Sequence, residues 1–146
     1  MKFDDAGWHT ESARSEAHAA AHIGAYFRWC VEADLVSEDE HGGDPDLVQQ
    51  LAEVRGGTRS GTEYVWENMS GVFCDHDLTE EGARFTSEYF GKEYLDVFRD
   101  LAGGEDYTLT ENELDFPALR ARIDAAFERW RATPKKPKRP WWKVWA

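Results

Sequence analysis

Apolar residues recur at three- and four-residue spacing along most of this chain, and no stretch alternates convincingly as a strand would. Ala20, Ile23, Gly24, Phe27, Cys30 and Val31 share one face of a helix predicted from about Ser12 to Val36, because residues three and four apart stack on one helical side. The opposite side carries His18, His22, Tyr26 and Trp29, and between Ala17 and Val31 only Arg28 is permanently charged. So little charge predicts a central helix packed on two sides. Leu47, Val48, Leu51 and Val54 stripe a second helix, opened by Asp44 and Pro45 and closed by Gly56-Gly57. Ser60 to Glu63 has capping-box spacing and opens a short third helix to Met69. Asp77 to Glu80 repeats that spacing and predicts a long fourth helix to about Leu101. Ala83, Phe90, Tyr94, Val97 and Leu101 lie on one of its faces, Phe85 and Tyr89 on another. The fifth starts near Asp115 and Pro117 and is striped by Leu119, Ile123, Ala126, Phe127 and Trp130. Residues 37–44 and 105–115 read as connections.

Pro134, Pro137 and Pro140 forbid helix at the end of the chain and favour an extended strap. The fold class expected is therefore all-α. A single-domain bundle of about five helices occupies residues 1–133, and residues 134–146 form a basic, Trp-rich tail.

Charge sharpens that division. The tail holds five Lys or Arg and no acid, together with Trp141, Trp142 and Trp145. Without it, 12 basic residues face 29 acidic ones, a balance of −17. Such a body repels nucleic acid and anionic lipid and attracts basic surfaces. At 146 residues with 41% hydrophobic and 14% aromatic content, the chain is long enough to bury a core and too apolar for wholesale disorder. Cys30 and Cys74 make no disulfide framework, and MKFDDAGWHT has acids where a leader needs a basic, then apolar, start. A reducing, cytoplasmic setting is expected.

Three constellations are candidates for chemistry. His18 and His22 stand one helical turn apart, so both imidazoles can face one metal ion. The intervening residues are alanines, and the Glu of a zincin helix is missing. His9, Asp75, His76 and Asp77 are further ligand candidates, although no spacing selects them. The bland alternative is a polar helix face with each His hydrogen-bonded to a neighbour. Asp4, Asp5, Trp8 and His9 form the second group. It reads as a cation or partner site, or as a plug in which Trp8 enters the core and Asp4 or Asp5 binds turn amides. The third is Cys74-Asp75-His76-Asp77, where Asp77 has sufficient work as a helix cap and neighbouring acids raise the thiol pKa. No nucleotide, zinc-finger or hydrolase motif is present, and no cofactor is expected.

The opening Phe3-Asp4-Asp5-Ala6-Gly7-Trp8-His9, the later His22-Ile23-Gly24 leading to Trp29, and Asp77-Leu78-Thr79-Glu80-Glu81-Gly82 leading to Phe85 resemble a bacterial domain-of-unknown-function family. Its members read "DDA-WH", "HIG-F-AW" and "DL-EEG". A closing helix ending in Trp130 is similar too. The resemblance departs between Thr10 and Glu16, where the family has a Gly-Asp-Phe-Pro stretch, and His18 has no counterpart. It implies a helical bacterial domain and carries no activity. It also draws Asp4, Asp5, Trp8, His9 and His22 together as one possible cluster.

The function expected is non-enzymatic capture of a basic protein, in the manner of an immunity protein or antitoxin. A second reading is a small metal-dependent enzyme or metal-binding protein using His18 and His22. A third is an adaptor acting through the tail, which can dock on its own domain or a second copy, or lie on a membrane. Nucleic acid is the least expected partner.

Overall fold

The computed structural model describes residues 1–134; the predicted strap with Trp141, Trp142 and Trp145 lies outside the described residues. Among the described residues, seven α-helical segments pack with a two-stranded sheet. Helix α1 (Glu16–Glu32) runs through the middle, and from Ala19 to Val31 every residue except Arg28 is buried. It starts at Glu16, four residues later than expected, because Ser15 caps it: Ser15 Oγ accepts from the His18 amide.

Helix α2 (Glu38–His41) is one turn set in the segment read as a connection. Helix α3 (Pro45–Gly56) is capped by Asp44 and ended by Gly57 in the left-handed region. Helix α4 (Gly61–Met69) is capped by Ser60. Helix α5 (Glu80–Tyr89) is capped by Thr79, whose Oγ1 accepts from the Gly82 amide. This corrects the expected role of Asp77, whose carboxylate is engaged elsewhere. A π turn over Phe90–Tyr94 joins α5 to α6 (Leu95–Leu101), and α7 (Phe116–Ala132) closes the bundle.

The π turn explains why the long helix seemed to have two apolar faces. Phe85, Tyr89, Tyr94 and Phe98 are all buried, at spacings of four, five and four. A π turn accommodates one extra residue, so all four side chains reach one core. Tyr26 of α1 meets Tyr94 and Phe90 there, with ring centroids 4.8 and 5.1 Å apart.

The strands were not anticipated. β1 (Lys2–Asp5) and β2 (Val72–Cys74) pair antiparallel, with Asp4 opposite Phe73. Runs of three and four residues are too short to display a two-residue period. The Ala6 amide continues the pairing to the Gly71 carbonyl at 2.8 Å. Ala6, fully buried, is the plug of this segment. Trp8, expected in the core, is instead 63% exposed, because the 3-10 turn Ala6–Trp8 commits Ala6 inward. The space there suits a small residue: a Cβ on Gly71 would stand 3.2 Å from that of Ala6 and 2.7 Å from the Trp66 ring.

α1 and α4 cross in backbone contact at Gly24 and Gly61. A Cβ on Gly24 would lie 2.4 Å from the Thr62 amide nitrogen, and one on Gly61 would lie 2.0 Å from the Gly24 carbonyl oxygen. Buried Glu111 braces the crossing. Its carboxylate accepts from the Gly61 amide at 2.8 Å, the Thr62 amide at 2.7 Å and the Thr62 hydroxyl at 2.8 Å. These amides are unpaired donors of the first turn of α4. Burial pushes the Glu111 carboxyl up, against the pull of those hydrogen bonds.

Gly24→Ala should destabilise the fold by about 3 kcal/mol or more, because the obstructing atoms include the Thr62 backbone, which cannot swing away. Glu111→Ala should cost about 3 kcal/mol by stranding buried amides. Urea denaturation followed by circular dichroism measures both.

Candidate functional site

Histidine and carboxylate meet inside this molecule in two places. At the first, strand β1 carries Asp4 against the flank of α1. Asp4 Oδ2 lies 2.9 Å from His22 Nε2, and Asp4 Oδ1 lies 2.8 Å from His9 Nε2 and 2.7 Å from the Asp5 amide. An ionised carboxylate only accepts, so both Nε2 atoms donate. His9 Nδ1 is then an acceptor, and the Tyr107 hydroxyl donates to it at 2.5 Å. Burial alone would raise the Asp4 pKa, but the hydrogen bond and charge of His22, then the bonds from His9 and Asp5, hold it below the usual carboxylate range. Burial pushes the Tyr107 phenol up, reinforced by Asp106 and Asp4, which keeps its proton available.

The backbone at Tyr107 is left-handed, with φ of 59°. A bulky residue rarely adopts this conformation, and here the bond and ring contact to His9, 5.5 Å between centroids, help to hold it. A small cleft of about 100 Å³ opens beside the cluster, lined by His9, His18, His22, Phe98, Arg99 and Tyr107.

The second place lies after β2. His41 Nε2 donates to Asp77 Oδ1 at 2.9 Å, and the Tyr64 hydroxyl donates to His41 Nδ1 at 2.7 Å. Asp77 Oδ2 accepts from the Cys74 amide at 2.9 Å. All of His41, Tyr64 and Asp77 are buried. Burial, then the charge of Asp77, pushes the Tyr64 phenol up to about 12. This centre pins α2 between α4 and the turn after β2.

Of the residues singled out in the sequence, Asp4, His9 and His22 meet. Asp5 lies beside them but turns away: its Oδ1 accepts from the Gly7 amide at 2.9 Å, and its Oδ2 pairs with Lys2 at 3.1 Å. Trp8 faces solvent, with the Lys2 ammonium 5.2 Å from its ring centre. His18 lines the cleft, but its Nδ1 bonds Ser15 Oγ at 2.7 Å, and it does not share a ligand cluster with His22. The helical pair His18 and His22 is therefore replaced by His9 and His22 as the histidines that converge. Asp75 pairs with the Met1 amino group at 2.9 Å. Cys74 is no activated nucleophile: burial, then Asp77, raises its thiol pKa.

Four participants went unseen: Tyr107, Glu111, His41 and Tyr64. Tyr107 lies 98 positions from His9, and no local spacing announces so distant a contact.

A third feature is a groove of about 320 Å³ between the end of α1, α2 and α3. Val31, Val36, Val48 and Leu51 form apolar walls, and Asp34 and Glu38 sit on its edge. Glu38 and its neighbours in sequence Asp39, Glu40, Asp44 and Asp46 are all exposed. Arg55, also at the rim, is held by Asp34 at 2.5 Å.

These features define a small, mostly helical acidic domain, with histidine–carboxylate–tyrosine centres as internal fasteners. The chain belongs to the family described as a domain of unknown function (DUF7832), whose model matches residues 2–112. The match takes in both centres and ends before α7. No curated protein and no solved structure matches the chain. No helix among the described residues is long and apolar enough to cross a membrane.

Asp4→Ala removes the acceptor of two imidazoles and should cost about 2–4 kcal/mol. Since the folded pKa of Asp4 is depressed, its contribution is present above the unfolded value of about 3.9 and is lost as pH falls through the folded value. Asp4→Asn should accordingly flatten the acid limb of a plot of stability against pH, measured by urea denaturation at each pH.

Proposed function

We propose that this chain is a non-enzymatic, acidic protein-capture domain that neutralises a basic partner in the manner of an immunity protein. The observation that carries the reading is the groove beside α2: apolar walls, an acidic edge, and five exposed acids within residues 38–46. Apolar floor and charged rim are the two parts of a protein-binding surface, the first holding the complex and the second steering encounter. A Lys or Arg side chain suits both, with its stem on Val48 and Leu51 and its charge among the acids.

The chemistry of the interior supports the same reading. Both ring nitrogens of His41 are taken, by Asp77 and Tyr64, and neither thiol is activated. The body charge of −17 accelerates association with a cationic surface over its whole approach.

The test takes the basic proteins encoded beside this gene as partners. Association and dissociation rates are measured by surface plasmon resonance at about 50 and about 300 mM salt. A basic partner should bind at low salt, and its association rate should fall about tenfold at high salt while dissociation changes little. Charge reversal at Glu38, Glu40 and Asp46 together should slow association by a similar factor. Absence of any complex at low salt, or binding indifferent to the triple reversal, would refute the proposal.

A further inference from the structure

We propose that Asp4, His9 and His22 form a binding site for a first-row divalent cation, such as zinc or iron(II), with its open face on the adjoining cleft. Two imidazole nitrogens and one carboxylate are offered by these residues, and their ligand atoms all lie within 4.8 Å of one another. This donor set, with positions left open, suits such ions.

The distances fit a short adjustment. Each Nε2 stands 2.8 or 2.9 Å from an Asp4 oxygen. Ligand atoms held about 2.1 Å from a tetrahedral zinc are separated by about 3.4 Å. Each nitrogen thus moves about 0.5 Å from its carboxylate oxygen to reach that spacing, and the three ligand atoms already lie within 4.8 Å of one another. His22 stands on the buried central helix and Asp4 on a strand paired to β2, so two ligands are held by the scaffold. His9 follows the short turn after β1, is half-buried, and supplies the movement.

The second shell is in place. When the His9 Nε2 lone pair goes to the cation, the ring proton moves to Nδ1 and is donated to the Tyr107 oxygen. The existing 2.5 Å contact serves with its roles reversed. Such partners fix the ligand tautomer and orientation. The Asp5 amide holds the carboxylate in the same way. The cleft of about 100 Å³ has room for about three waters or a small anion to complete the coordination.

The other possible grouping, Cys74, His76 and Asp77, is less suited. His76 is exposed on a short turn and is held by no buried element, and burial raises the thiol pKa.

The inference does not depend on the capture surface, whose lining within residues 31–55 shares no residue with this cleft. The full chain is titrated with cobalt(II) near neutral pH, following visible absorption, and zinc content is measured by elemental analysis after gel filtration. One equivalent of cobalt should bind and give d–d bands of low-symmetry coordination. His9→Gln is chosen because the ring is half-exposed, with circular dichroism as the check on folding. It should weaken binding at least tenfold, and Tyr107→Phe should weaken it about tenfold. His76→Ala should bind as the parent does. A parent chain that takes up no stoichiometric ion overturns the proposal. So does binding abolished by His76→Ala and untouched by His9→Gln.

Discussion

The fold depends on two helices touching through their backbones. Gly24 on α1 and Gly61 at the start of α4 have no side chain to separate them, and any Cβ there would run into a peptide group. Such an approach buries the first turn of α4, whose amides then need an acceptor that water cannot supply. Glu111 supplies it from a distant loop. Size and charge are linked in this way: the glycines create a desolvated spot, and a buried carboxylate makes it tolerable. Ile23, Phe27 and Tyr64 pack around the crossing, with Phe27 and Tyr64 stacked 5.2 Å apart.

The histidine centres repeat that solution. In both, a histidine joins a carboxylate through Nε2 and a tyrosine through Nδ1. Each ties a short piece that cannot fold alone, β1 with its turn in one case and α2 in the other. A single turn of helix or a four-residue strand has too few internal bonds to persist unaided. The polar centres therefore do for these pieces what apolar stripes do for α1 and α7. The first centre also presents His9 and His22 toward a cleft, whereas in the second both ring nitrogens of the one histidine are taken by Asp77 and Tyr64.

Helices were legible because their information is local. Ser15, Asp44, Ser60 and Asp115 cap the helices their neighbours announce, and the stripe of Leu119, Ile123 and Phe127 is buried as its spacing implies. The start of α5 was misplaced by two residues, since Asp77 has an acid three positions on, Glu80, whereas the true cap Thr79 has Gly82 there. The site was half legible. His22 and Asp4 stood out as ionisable groups in apolar or turn-like settings. Their partner Tyr107 did not, because a tyrosine in an acidic connection has no local signature. The π turn was visible in principle as the five-residue gap between Tyr89 and Tyr94, hidden by expecting an unbroken helix.

Strand β1 has a consequence for how the chain assembles as it leaves the ribosome. Its hydrogen-bonding edge waits for β2, some seventy residues later, and His9 waits for Tyr107, 98 residues later. A segment made before α1 is thus among the last of the described elements to find its place. Until then Phe3 and Ala6 have no sheet partner, and the flank of α1 that Asp4 will cover stays open to solvent or to a chaperone. Such long-range closure slows folding relative to a bundle joined only by neighbouring helices. The N-terminal strand acts as a clasp that fastens only after most of the domain has been synthesised.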